Sequence, residues 1–224
     1  MLGAAFGSMR RVKAFGVEFE LGEEQGRRTK AALEEVFADY RREVQREFER
    51  QVERYDVARL FQTLAEDAIK PCVNPENTYR CAIYVPDIVF KNVLYRLTNY
   101  YPAGGGAGSI YASRYGIIGR SWRLDKNLQE DVPGNITALI VQWGMTLEEA
   151  ASQEPKTFAT FLLREGEGMP PVGLVYAETA EHGFTEKIEP RLRTSVAKYP
   201  LIGAVASVME EMRGSGPMLD LFEN

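Results

Sequence analysis

Apolar and polar residues alternate from Lys13 to Leu21 (KAFGVEFEL), which puts Phe15, Val17, Phe19 and Leu21 on one side and Gly16, Glu18 and Glu20 on the other. A period of two predicts a strand, and a lone strand must pair elsewhere, in this chain or in a second copy, to cover its apolar side. The pattern changes between Arg27 and Lys70, where good helix formers run without an internal Gly or Pro. Leu33, Phe37, Tyr40, Val44, Phe48, Val52 and Tyr55 recur at steps averaging about 3.67 residues, a helical period nearer the eleven-residue repeat than the heptad. The charges of both signs between them form an ordinary solvated face. The apolar seam is different, because it has to be buried on something, and the helix of a second subunit is the economical partner.

Pro71 is expected to end the helix, since proline lacks the backbone donor and restricts the residue before it. Two strands are predicted next, Tyr79–Val85 (YRCAIYV) and Phe90–Pro102, turning at Pro86 and Asp87. The AGGGAGS stretch that follows lacks the Gly-Lys-Ser/Thr ending of a phosphate loop and reads as a mobile connector or lid. A polar, Asp-rich stretch covers Leu124 to Asn135, and ITALIVQWG (136–144) is apolar enough for a buried helix or strand. Thr146 and Glu149 stand in capping-box spacing for a short helix. Lys156–Glu165 and Pro171–Thr179 read as the arms of a hairpin, and a last amphipathic helix runs from about Thr185 to Arg213 with interruptions near Pro190 and Pro200. The whole is an α+β chain, a central antiparallel sheet flanked by helices. An N-terminal strand and linker (1–26) and a long coiled-coil-type helix (27–70) lead into a domain at 71–213, and a flexible tail follows at 214–224.

Composition narrows the chemistry. The 224 residues carry a net charge of −5 with Lys and Arg dispersed, so no basic face predicts nucleic-acid binding. His182 is the single histidine, and Cys72 and Cys81 are the only cysteines, outside any Cys-x-x-Cys spacing. That excludes a His-rich metal site and a zinc ribbon, and any Ser-His-Asp triad not built on His182. No nucleophile with an adjacent base is evident, so no catalytic residue, metal or cofactor is assigned. Reduced thiols are the better prior than a Cys72–Cys81 disulfide and point to the cytoplasm. No window approaches the roughly twenty apolar residues of a membrane span, and an anchor upstream of residue 1 is left open.

The stretch from Arg114 to Arg123, RYGIIGRSWR, crowds a Tyr, a Trp and two isoleucines among glycines and arginines. Arginine is almost never fully buried unpaired, so these arginines either meet partners at the rim of a pocket or point into water. With YRCAIYVPD before it and PVGLVYAET after it, this order of elements resembles the GAF domain, a family of small sensory modules, over roughly Tyr55 to Arg213. The resemblance implies a GAF-like sheet in which Ile117 and Ile118 are core, Trp122 fills space under a pocket wall, and Arg120 and Arg123 lie near its rim. Those arginines have an alternative in acids nearby, such as Asp125 or Asp131.

Departures from the family pattern matter as much. Neither cysteine precedes a histidine, as a covalently held bilin needs, and Lys91-Asn92 does not make the cyclic-nucleotide signature. His182 falls in a polar loop unsuited to an axial haem ligand, and the cysteines do not match the pocket-loop thiols of the sulfoxide reductases that share the fold. The resemblance therefore implies a non-catalytic sensory or regulatory domain that binds an unidentified small molecule and signals through its N-terminal helix as a homodimer. The pocket is expected between the sheet and residues 109–135, with Tyr111, Arg114, Arg120 and Trp122 at its wall, where the arginines suit an anion. The alternative is a structural dimerisation module whose pocket is filled by its own aromatics, among them Tyr101, Tyr111 and Tyr115.

Overall fold

The computed structural model describes residues 11–14, 17–20, 23–88, 92–114, 116–131, 135–151, 157–180 and 188–214. The chain divides into a smaller unit that takes in the residues up to Arg46 and a larger one, Glu47–Gly216. In the smaller unit the expected single strand is two short ones. β1 (Arg11–Ala14) and β2 (Val17–Glu20) pair antiparallel with each other, Val12 opposite Phe19. The two strands thus pair with each other within a few residues of chain, and Phe15 and Leu21 lie outside the described residues.

Helix α1 (Glu23–Arg54) starts earlier than its sequence pattern suggested, taking in Gly26, and ends sooner. Tyr55 and Asp56 break the run, with Asp56 in the left-handed region at φ 53°, before α2 (Val57–Leu64). A π-helical turn (Ala65–Ile69) and a 3-10 turn (Lys70–Cys72) then carry the chain into Pro71. Aspartate tolerates the left-handed conformation because its short side chain can bond locally, so the absence of Gly and Pro did not guarantee continuity. Of the stripe in α1, Phe48 is spent within the larger unit, stacked on Tyr95 with ring centroids 4.4 Å apart.

The larger unit is built on a six-stranded sheet, every neighbouring pair antiparallel, in the order β5-β4-β3-β8-β7-β6. Its strands are β3 (Tyr79–Pro86), β4 (Val93–Arg96), β5 (Ile110–Ala112), β6 (Leu128–Asp131), β7 (Thr157–Leu163) and β8 (Gly173–Thr179). β4 is shorter than the 90–102 expected; beyond Arg96 the chain keeps only isolated bonds to β3, from the Leu97 amide to the Ile83 carbonyl at 2.8 Å and between Tyr101 and Cys81. β5 and β6 lie where the sequence pattern predicted no strand, β6 within the polar, Asp-rich stretch. The β7–β8 hairpin and the burial of all fourteen of its strand residues follow the continuous apolar runs in the sequence.

Each face of this sheet is covered. Alternation along the strands sends Ala82, Tyr84, Leu94, Phe158, Leu162, Leu174 and Tyr176 to one side, where they form one core cluster with Ile117, Ile118, Leu139 and Trp143. The last four come from α3 (Gly116–Leu124), α4 (Ile136–Val141) and the turn after it. Asn135 caps α4 by accepting from the Thr137 amide at 2.8 Å, and α5 (Leu147–Ala151) follows as its capping residues predicted. Cys81, Ile83, Val85, Val175, Phe161 and Leu163 alternate to the other side and are also buried. There α6 (Ile188–Lys198) packs on β7, and α2 packs on α6 and α7 (Leu201–Gly214). Pro190 sits in the first turn of α6, where a missing amide costs nothing, and Pro200 lies at the expected break between α6 and α7. The expected tail lies outside the described residues.

Candidate functional site

The β3 and β8 registers set Arg80 opposite Glu178 and Ala82 opposite Tyr176, and the β3–β4 register sets Tyr84 opposite Arg96. One face of the sheet therefore carries, within three strands, two arginines, a glutamate and two tyrosines. β5 adds Tyr111, opposite Leu94, and the chain after β4 returns Tyr100 to the same place. The Tyr84 and Tyr100 hydroxyls lie 3.1 Å apart, and Tyr111 shares hydrogen bonding with both. Tyr84 meets Tyr111 and Tyr176 edge to face, with centroids 5.2 and 6.0 Å away. Phe158 and then Trp143 continue the ring contacts across the face at 5.7 and 5.6 Å.

The charges are threaded through these rings. Arg80 forms an ion pair with Glu178, which also accepts from the Tyr176 hydroxyl. The Arg80 guanidinium lies 4.4 Å from the Tyr100 ring centre and that of Arg96 4.1 Å from it. Burial is the largest cause that pushes Tyr84, Tyr111 and Tyr176 above the ordinary phenol range, so all three stay protonated and can donate at neutral pH.

Arg96 itself is only 5% exposed. Its Nε donates to the Gly106 carbonyl and its Nη2 to Ser109 Oγ at 2.8 Å. The backbone closes the same loop, since the amides of Arg96 and Gly108 bond to Ser109 and Arg96 at 2.8 and 3.0 Å. Gly106 has φ +91°, and a Cβ there would stand 1.8 Å from Arg96 Nη2. The glycine-rich stretch, expected as a mobile connector or lid, thus closes around an arginine.

The four residues expected at the pocket wall separate. Tyr111 belongs to the cluster just described. Trp122 is half-buried and packs on its edge. Arg120 spends its Nη1 on both oxygens of Glu130, at 2.7 and 2.5 Å, and Arg123 donates to the Ser113 carbonyl. Asp125 pairs with Arg164 and Asp131 accepts from Thr157, so neither acid named from the sequence holds these arginines. Arg114 is exposed. Gly119 explains part of the motif, because a Cβ there would stand 2.4 Å from the Ser113 carbonyl oxygen. Tyr115 and His182 lie outside the described residues.

Arg80, Tyr84, Arg96, Tyr100, Tyr176 and Glu178 were not singled out from the sequence. The signal that could have found them is the alternation of β3 and β8, which puts every second residue of YRCAIYVP on one face. Among the described residues two open grooves, about 560 and 610 Å³ in volume, are lined by none of the four expected wall residues. The larger is lined by Tyr100, which it shares with the cluster, by Tyr101, and by Glu49, Glu53 and Asp56, a sign opposite to that of the arginines.

Among the described residues no group of His, Cys, Asp and Glu could hold a metal ion, and no helix is long and apolar enough to cross a membrane. No family model matches the chain, and no curated protein is significantly similar to it.

Proposed function

We propose that the larger unit is a non-catalytic sensory or regulatory domain of GAF type. It takes a small molecule on the face of the sheet that α3 and α4 cover, and it passes occupancy to the helices. One observation carries this reading. The buried face holds a mutually hydrogen-bonded set of tyrosine hydroxyls and two arginines where phenylalanine and leucine would pack as well. Polar groups in a core have to be bonded or they cost stability, and hydroxyls satisfied only by one another are free to exchange partners with a ligand. The GAF reading is supported by the order of the elements, with Gly116–Leu124 lying between the two strand pairs and packed on β7 and β8. On this reading two copies associate through α1 at the stripe positions N-terminal to Tyr40, which places the signalling helix at the dimer axis.

A second reading has its own support: the unbroken ring contacts from Trp143 to Tyr111 are what a self-filled pocket looks like. That protein would be a structural module without a ligand. Native mass spectrometry of freshly purified protein separates the two. The regulatory reading expects a dimer with a retained small molecule, or one acquired from a metabolite mixture. A bare mass that no compound changes supports the structural module.

A further inference from the structure

We infer that Arg96 is the anchor of an anion-binding site, and that the ligand of the proposed domain presents a carboxylate or phosphate group there. This rests on the small-molecule reading above. The first argument is a contrast among the arginines. Arg80, Arg120 and Arg164 are all more exposed than Arg96, and each pairs with an acid, Glu178, Glu130 and Asp125 respectively. Arg96 is the most buried of the four, and among the described residues no carboxylate forms an ion pair with it. Its guanidinium donates to a carbonyl and a hydroxyl and lies over the faces of two phenol rings, the Tyr100 and Tyr111 centroids being 4.1 and 5.9 Å away. A buried charge without a counter-charge is costly, and an external anion supplies what the chain withholds.

The second argument is the donor supply beside it. Nη1 of Arg96 makes no hydrogen bond to a described residue, and the Tyr84 and Tyr100 hydroxyls, 3.1 Å apart, have rotatable protons. Guanidinium and phenol donors together match the several lone pairs of an oxyanion. With Arg80 already neutralised by Glu178, the cluster keeps one net positive charge. The rings of Tyr84, Tyr111 and Tyr176 offer the body of the ligand an apolar floor, so the fitting molecule is a small organic anion with one charged end. The third argument is the construction of the loop. Gly106 closes on the guanidinium too tightly for any side chain, which fixes the direction of the arginine before a ligand arrives.

The test uses the full chain with benzoate and inorganic phosphate as probes and benzamide as the uncharged control, at constant ionic strength. Benzoate or phosphate at millimolar concentration is expected to raise the melting temperature, and benzamide is not. Arg96→Gln is expected to weaken the responding anion at least about tenfold, while Arg164→Gln, outside the cluster, leaves it unchanged. A response to phosphate alone assigns a phosphate-bearing ligand, and a response to benzoate alone a carboxylate. Should Arg96→Gln fail to fold, the arginine side-chain N–H resonances of the unaltered protein give the same answer, a saturable shift of the Arg96 signals on titration. Equal responses to benzoate and benzamide, or an Arg96→Gln protein that binds as before, overturn the inference. If only neutral or cationic compounds bind, the anion site falls and the small-molecule reading stands; if nothing binds and nothing is retained, both fall.

Discussion

The two faces of the six-stranded sheet solve the same burial problem with different chemistry. Toward α2, α6 and α7 the strands turn Cys81, Ile83, Val85, Val175, Phe161 and Leu163, met by Leu64, Leu192, Val205, Val208 and Met212, all buried. Hydrocarbon of this kind gains roughly 25 cal/mol for each Å² removed from water and asks for no partners. Toward α3 and α4 the same strands turn Tyr84, Tyr176, Glu178 and Arg96, all buried, and the partly exposed Arg80; the hydroxyls are hydrogen-bonded and Arg80 pairs with Glu178, while Arg96 has only neutral partners. One face is therefore optimised for stability, and the other retains groups that stability alone does not require.

The largest effects should come from removing volume on either face. Ile83→Ala is expected to cost about 2–5 kcal/mol and Trp143→Ala about 3–5 kcal/mol, read as the shift in urea midpoint at constant slope. Trp143 is 1% exposed, whereas Trp122 is half-buried, so Trp122→Ala should cost clearly less than Trp143→Ala. If Trp122 proved the costlier, the placement of α3 on the sheet would be wrong.

Alkaline pH should act on the tyrosine-bearing face. Tyr84, Tyr111 and Tyr176 have folded pKa values raised above that of an unfolded phenol, burial being the main cause, so the folded state gains from their neutral form. That contribution is complete below the unfolded pKa of about 10 and is lost as pH rises toward the folded values. The urea midpoint should therefore fall from about pH 10 upward with the appearance of tyrosinate absorbance. Tyrosinate formed well before any loss of structure would show that the cluster is open to water.

A smaller effect sharpens the contrast further. Replacing Tyr84, Tyr100 and Tyr111 together by Phe removes every member of the bonded hydroxyl set, and the apo stability should stay within about 1 kcal/mol of the parent. A much larger loss would make the hydroxyls structural.

How much of this could be read in the chain differs between the faces in the same way. The β7–β8 hairpin and the first sheet strand were legible, because burial writes itself as apolar runs, whereas the burial of Ile117 and Ile118 was expected only from the family resemblance. β5 and β6 were not. Their residues are half-exposed edge positions whose strand conformation comes from pairing with β4 and β7. The break at Tyr55–Asp56 was invisible for a related reason, since an aspartate in the left-handed region leaves no compositional mark. The candidate site was legible only in part. Tyr111 belongs to it, but Arg120 was drawn away by Glu130, an acid ten residues on that β6 brings across. Arg96 looked like one more polar residue on a strand, and nothing before the fold shows that its neighbours would be tyrosines and not acids.

The smallest effect concerns the thiols. Cys81 lies on the aliphatic face, fully buried, with its Sγ bonded to the Tyr101 carbonyl at 3.4 Å and its acidity suppressed by burial. Cys72 is half-buried in the turn around Pro71. A thiol reagent should modify Cys72 first, with Cys81 slower by on the order of 100-fold or more, because it must wait for opening of the sheet. Similar rates would mean that the aliphatic face is not the closed one.

The most direct measurement is an NMR titration with benzoate that follows the tyrosine ring signals and the isoleucine methyls together. The account predicts saturable shifts at Tyr84, Tyr100 and Tyr111 while the Ile83 methyls, one residue along the strand but on the opposite face, stay in place. Tyrosine signals that do not move with benzoate or phosphate, or shifts spread equally over both faces, would contradict it.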